Sequence, residues 1–317
     1  MTTGEILARH LRRAIMPEHN RKAHTANPPA MIRILSLHTY PVKSCGGITH
    51  TQIGISNSGL THDRQWVVID KEEGFLTQRR YPRMALVQPA LDETALFLNA
   101  PEMPTLRISL RKGEENPAVP LRIWNSDTLG CDEGDTAARW FSDYLGRPCR
   151  LYRVHRDARR LAAPQRVYDW IMRQPGMAEF PMEHPFGFAD SFPFLITSQA
   201  SLDDLNLRLA AKGEQAVIMN RFRPNIVVQG LEAYEEDYIS SMRVGPLTFA
   251  LVKQCARCPV PNVDPITADL GAEPMATLSR YRNFENGVIF GANAVVSGAE
   301  RGAVLSVGDR VDVVLDL

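Results

Sequence analysis

The feature that most constrains this chain is its punctuation: short apolar runs recur from Ile32 to the C-terminus, each closed off by turn residues. Ile32-Arg33-Ile34-Leu35-Ser36-Leu37 opens the series. Gln65-Trp66-Val67-Val68-Ile69 leads through Asp70-Lys71-Glu72-Glu73-Gly74 into Phe75-Leu76-Thr77, the pattern of a hairpin. Leu106 to Leu110 and Leu121 to Trp124 follow, with a Lys112-Gly113 turn between them. Ile226 to Val228, Thr248 to Val252, Val288 to Phe290, Ala294 to Val296 and Val311 to Leu315 complete the set. Runs of this length predict strands. Only two segments carry a helical period. Ala137, Trp140, Phe141, Tyr144 and Leu145 recur at i, i+3, i+4, i+7 and i+8, and Gly146 stops them. Leu202, Leu205 and Leu209 share one face between Ser201 and Ala211, with Ser198 or Ser201 as the cap. The expected class is mainly β with some α (α+β), built as barrels or sandwiches with added helices.

The 317 residues suggest two domains. The Arg- and Pro-rich stretch from Arg159 to Gln174 is the expected join, dividing the chain into 31–160 and 161–317. Residues 1–30 read as a poorly ordered extension: their bases are interrupted by Glu5 and Glu18, they lack an apolar signal core, and Asn27-Pro28-Pro29-Ala30 breaks any helix. Lys and Arg total 36, as do Asp and Glu. Without a basic excess, a main role in binding nucleic acid or anionic membrane non-specifically is excluded. No apolar run approaches the roughly 18–20 residues of a membrane span. Five cysteines, an odd number, rule out a disulfide framework and suit a reducing cytoplasm.

The chemistry begins at the thiols. Cys255-Ala256-Arg257-Cys258 is a CxxC followed by Pro259, Val260, Pro261 and Asp264. Three readings compete. Structural zinc needs two further ligands, and Cys45, Cys131 and Cys149 are scattered singly. A thioredoxin-type pair needs a helix after the second Cys, which Pro259 and Pro261 oppose. The third reading is two half-buried thiols in a strand–loop turn. Around this loop the sequence gathers anion binders. Lys43-Ser44-Cys45-Gly46-Gly47 sets a Lys, a hydroxyl and two glycines at one turn, without P-loop spacing. Gly59 to Arg64, Asn220 to Asn225 and Arg257 add guanidinium groups, which suit fixed recognition of phosphate and planar heteroaromatics. Together they point to a phosphorylated cofactor whose metal takes one thiolate from the protein.

The ordered motifs Tyr40-Pro41-Val42-Lys43-Ser44, Gly59 to Arg64 with Trp66, Phe222-Arg223-Pro224-Asn225-Ile226, and Cys255-Ala256-Arg257-Cys258 with Val263-Asp264-Pro265 resemble the MOSC family of molybdenum-cofactor proteins. Within it the similarity is greatest to bacterial YcbX-type proteins and the mitochondrial amidoxime-reducing component, over about residues 31–317. The resemblance implies an N-terminal β-barrel-like domain followed by a MOSC β-barrel domain with flanking helices, and a molybdopterin held between the two. Cys258 matches the protein ligand to molybdenum, and so the catalytic position. Lys43, Ser44, Arg64, Arg223 and Asn225 match positions that hold the pterin and its phosphate. Ala256 and Arg257 would add contacts, as would Asp190, Ser191 and Phe192. Asn293 stands where relatives can carry Tyr. Cys255 is expected to shape the loop.

The implied activity is reduction of N-hydroxylated compounds (hydroxylamines, amidoximes, N-hydroxylated bases) to amines. The plant-type iron–sulfur domain that some relatives carry would show as C-x₄-C-x₂-C, and no Cys follows Cys258. No cluster is therefore expected in this chain, and electrons are expected from a separate protein: a ferredoxin, a b-type cytochrome or a flavin reductase. Asp264 reads as a turn former and His62 as structural. Two other functions stay open: a sulfur carrier or cofactor-handling protein using a Cys258 persulfide, and a zinc-stabilised binding module.

Overall fold

The computed structural model describes residues 31–111 and 116–316; the expected N-terminal extension and the Lys112-Gly113 turn lie outside them. The expected class is observed: mainly short strands, with few helices. The largest sheet runs in the order Ile48–His50, Arg33–Thr39, Ile226–Gln229, Phe194–Ser198, Gly287–Ser297, Leu247–Ala256, Ile239–Val244, Asp312–Leu315. A second sheet joins Val119–Ile123, Ser126–Asp132, Arg150–Val154, Trp66–Asp70 and Gly74–Phe75. Two three-stranded sheets complete the set: Gln88–Leu91 with Ala95–Asn99 and Leu106–Ser109, and Val304–Ser306 with Gln52–Ser56 and Gly59–Leu60.

Strand pairing crosses residue 160. Arg33–Thr39 runs antiparallel to Ile226–Gln229, with Leu37 opposite Ile226, so both parts of the chain contribute to one sheet. The stretch Arg159 to Gln174, expected as a join, contains the helix Pro164–Arg173. Pro164 opens it, where its missing N–H does no harm. Val167 and Trp170 are fully buried, and the Trp170 indole donates to the Ser240 carbonyl at 2.8 Å.

Both expected helices form. Asp135–Leu145 buries Ala137, Trp140, Phe141 and Tyr144 and ends on Gly146 at φ 67°, where a side chain would be strained. Each of its large side chains contributes roughly 1.5–3 kcal/mol by leaving water. Gln199–Ala211 starts two residues earlier than expected and serves as a crossover, because Phe194–Ser198 and Ile226–Gln229 pair in parallel. Ser198 is its cap and accepts from the Ala200 N–H at 3.2 Å.

The start of this helix is tied down by a buried carboxyl. Glu236 accepts from the Ser201 hydroxyl at 2.7 Å and from the Ser198 N–H at 3.3 Å. Burial pushes its pKa from 4.5 up to about 7, against the bonds from Ser201 and Ser198 and helped by the charge of Asp237. The unfolded chain therefore loses this proton first. Stability tied to neutral Glu236 is whole below pH 4.5, declines as pH rises to about 7, and is level beyond. Glu236→Gln stays neutral throughout. The melting midpoint of the wild type minus that of the variant is expected to fall between pH 5 and 8; a constant difference would refute the assignment.

Candidate functional site

Two loops from the first part of the chain lie back to back. The Lys43 N–H donates to the Trp66 carbonyl at 2.7 Å, Arg64 N–H to the Tyr40 carbonyl at 3.0 Å, and Trp66 N–H to Pro41 at 3.0 Å. Ser44, His62 and Arg64 take positive φ (66°, 63° and 47°), and so does Arg223 at 58°. Left-handed backbone costs a non-glycine residue about 1–3 kcal/mol, and such strain concentrates at working sites. Gly46 and Gly47 are forced by packing. A Cβ on Gly47 would sit 2.6 Å from the Tyr40 ring, and one on Gly46 would sit 2.9 Å from the Val87 carbonyl.

Tyr40 is the floor on which distant segments meet. The Arg64 and Arg223 guanidiniums lie over its ring at 4.4 and 4.3 Å. Its phenolic oxygen is buried without a partner, and burial pushes its pKa up to about 12. Asp63 ties the floor to its neighbours. It accepts from the Tyr40 N–H at 2.8 Å, from Arg64 Nη1 through both oxygens at 2.7 and 2.6 Å, and from Asn225 Nδ2 at 3.0 Å. Asn225 is 2 % exposed, and its amide is occupied by Asp63, the His38 carbonyl and the Leu195 N–H. It braces the Arg223 loop from behind.

Arg223 is placed differently. Its Nη1 donates to the Cys45 carbonyl at 2.5 Å, while Arg64 Nη2 donates to the Arg223 carbonyl at 2.9 Å. Among the described residues Arg223 forms no ion pair with a carboxylate. Burial, then the like charge of Arg64, lowers its pKa to about 10. A half-buried cation beside another cation is a poor arrangement until an anion joins it.

Lys43 is buried, and burial lowers its pKa against the attraction of Asp190. Its ammonium donates to the Phe188 carbonyl at 2.9 Å and pairs with the exposed Asp190 carboxylate. Arg160 holds that loop in place: Nη1 donates to the Gly187 and Ala189 carbonyls at 2.6 and 2.8 Å. Of the neighbouring residues expected in the site, Ser191 is exposed, while Phe192 is buried in the apolar cluster around Trp170 and Phe180. Asn293 lies in mid-sheet between Leu195 and Lys253, half-buried.

The thiol loop follows directly from the strand Leu247–Ala256, whose last residue, Ala256, is exposed. Arg257 fastens it to the Arg223 loop, with Nη2 donating to the Phe222 carbonyl at 2.7 Å. Phe222 in turn stacks on Phe290 at 3.9 Å. Arg257 Nη1 donates to Cys255 Sγ at 3.1 Å, and Nε is buried without a partner. Cys255 is thus tied to Arg257 within the loop. Cys258 lies three residues on, half-buried. Asp264 is the expected turn former: it accepts from the Ile266 and Thr267 N–H groups and from Arg221 at 2.5 Å. His62 is half-buried, its pKa lowered first by burial and then by Arg153.

Lys43, Arg64, Arg160, Arg223 and Arg257 therefore converge with two carboxylates, Asp63 and Asp190, leaving a surplus of positive charge. Beside them is a cleft lined by Tyr40, Gly46, Gly47, Arg221, Arg223 and Val260. It shares Gln88, Asn220 and Pro265 with an adjoining cavity of about 540 Å³. The orphaned Arg257 Nε and the unpaired Arg223 fit a phosphate-bearing planar group, with one thiol at hand for a soft metal. Among the described residues no three His, Cys, Asp or Glu side chains gather to hold a metal, which gives no support to structural zinc.

Reasoning from motifs picked out Lys43, Arg64, Arg223 and Arg257 and missed Asp63, Arg160 and Tyr40 as site-builders. Asp63 and Tyr40 sat inside quoted motifs, and their signal was adjacency to a cation. Arg160 carried no local signal.

Comparison with known proteins identifies the family. A family model of the MOSC N-terminal beta barrel domain matches residues 31–148, and one of the MOSC domain matches residues 183–312. Over 250 residues the chain is 33 % identical to mitochondrial amidoxime reducing component 2 of Rattus norvegicus, covering 77 % of this chain and 70 % of that one. It is 33 % identical over 257 residues to mitochondrial amidoxime-reducing component 1 of Homo sapiens, covering 78 % and 72 %. To molybdenum cofactor sulfurase of Arabidopsis thaliana it is 30 % identical over 270 residues, covering 81 % of this chain and 32 % of that protein. With both domain models matched in order and relatives at this identity aligned over most of their length, the chain belongs to the MOSC family.

Proposed function

We propose that this protein is a molybdenum-cofactor-dependent reductase that converts N-hydroxylated compounds, such as hydroxylamines and amidoximes, to amines. The observation that carries the reading is the unpaired Arg223 guanidinium beside Arg64, on a floor tied through Arg257 to the loop that presents Cys258. Similarity to amidoxime-reducing components supports it. When bound, molybdopterin supplies a two-electron centre for N–O reduction. The residues have separate tasks. Cys258 offers the thiolate ligand. Arg223, Arg64 and Lys43 neutralise the phosphate, and Ser44 adds a hydroxyl. Arg257 orients the thiol loop, and Asn225 and Arg160 keep the cationic loops in place. The net change, N–OH to N–H, takes up two electrons and two protons and releases water, and the electrons come from a separate redox protein.

Similarity to a molybdenum cofactor sulfurase favours a second reading, a sulfur carrier with a persulfide on Cys258. A carrier has no need of the buried cations. Elemental analysis of protein from a molybdate-fed, cofactor-competent host tests both. Stoichiometric molybdenum with pterin is expected. Labile sulfur without molybdenum would establish the carrier, and zinc would overturn both.

A further inference from the structure

The hairpin formed by Val119–Ile123 and Ser126–Asp132 turns through Trp124 and Asn125, with Ile123 paired to Ser126. Of the two turn residues only Trp124 has positive φ, 53°. A two-residue turn with that pattern calls for glycine at its first position. A bulky side chain there is a genuine outlier. The turn instead carries the largest side chain available, and it is 43 % exposed.

Three contacts hold the ring. Its indole N–H donates to Asp190 Oδ1 at 2.9 Å, the edge of Phe75 meets it at 4.8 Å, and the Arg79 guanidinium lies 4.8 Å from its centre. Asp190 also pairs with Lys43, whose ammonium lies 5.3 Å from the Phe75 ring centre. The exposed indole is therefore anchored directly on the cationic site. The other three tryptophans, Trp66, Trp140 and Trp170, are buried. Strain retained at one hairpin tip, and side-chain contacts that aim it at the site, are the marks of a surface kept for a ligand.

We infer that Trp124, steadied by Arg79 and Phe75, is a stacking shelf for the planar ring of the substrate, and that it makes aromatic N-hydroxylated compounds preferred over aliphatic ones. This rests on the reductase reading. Trp124 acts on binding and leaves the reacting atoms to the thiol loop.

The test compares wild-type holoenzyme, Trp124→Gly and Trp124→Phe, with an artificial reductant, on benzamidoxime and N-methylhydroxylamine. Glycine suits the turn without strain, so Trp124→Gly folds, and the phenylalanine variant keeps a ring. In Trp124→Gly, KM for benzamidoxime is expected to rise ~10-fold, as one lost stacking contact implies, with kcat and the KM for N-methylhydroxylamine within about twofold. Trp124→Phe should recover most of the benzamidoxime affinity. Benzamidoxime should also quench the emission of the single exposed tryptophan in the wild type and not in Trp124→Phe. Equal KM changes for both substrates, or none, would overturn the shelf while leaving the reductase reading intact. A molybdenum-loaded wild type that reduces neither compound would overturn that reading, and the shelf with it.

Discussion

Cys258→Ser is expected to fold with wild-type stability and to lose on the order of 100-fold or more of its N-hydroxylamine reductase turnover. Mutating groups that merely support a metal ligand lowers metal affinity or activity about 10–100-fold, so losing the ligand itself should cost at least as much. A serine oxygen is a hard donor and a poor substitute for thiolate at a thiophilic metal. The fold has little at stake, since Cys258 is half-buried at the end of a loop that Arg257 and the Val288 carbonyl hold by other bonds. A surface-like change of this kind alters stability by about 0.5 kcal/mol at most. The measurement pairs turnover with a melting curve and molybdenum content. Undiminished turnover would defeat the assignment of Cys258. Cys255→Ser, by contrast, replaces an acceptor that Arg257 can still reach, and should keep most of the activity.

The second large effect falls on stability. Asp63→Ala is expected to lower it by about 3–5 kcal/mol, the range for breaking a buried ion pair by removing one partner. Asp63 is 7 % exposed and has four bonds to lose: two from Arg64, one from the Tyr40 N–H and one from Asn225. Deleting the carboxylate leaves Arg64 charged beside Arg223 with nothing between them to offset the repulsion. For a chain of this size such a loss corresponds to a melting midpoint lower by roughly 5–10 °C. Asp63→Asn keeps the shape and one acceptor oxygen, and should fall between the two. If Asp63→Ala melted within 1–2 °C of the wild type, roughly the width expected for a neutral surface change, its part in building the floor would be refuted.

How much of this was legible depends on the range over which each signal acts. The helix Asp135–Leu145 was readable because its period and its glycine stop lie within a dozen residues and need no partner to be recognised. The strands were readable as a class, but not their order. Nothing local to Arg33–Thr39 says that it will pair with Ile226–Gln229. The Arg159 to Gln174 stretch holds a helix that its Arg and Pro content does not announce, because Val167 and Trp170 supply enough apolar surface to bury one.

The residue types of this chain determine by themselves that it folds as short strands with added helices, and that it carries a thiol loop and scattered cations matching one family. Tertiary structure alone decided that these cations meet on Tyr40. The bonds that do it join Arg64 to residue 223 and Arg223 to residue 45, across separations of 159 and 178 residues. It likewise decided that Asn225 faces inward as a brace, that Arg160 serves the site, and that Trp124 bonds to the carboxylate that pairs with Lys43. Periodicity, caps and turns are set by neighbours along the chain. A charge cluster is set by which sheets pack together, and that follows from the burial of apolar faces whose partners lie far away in sequence.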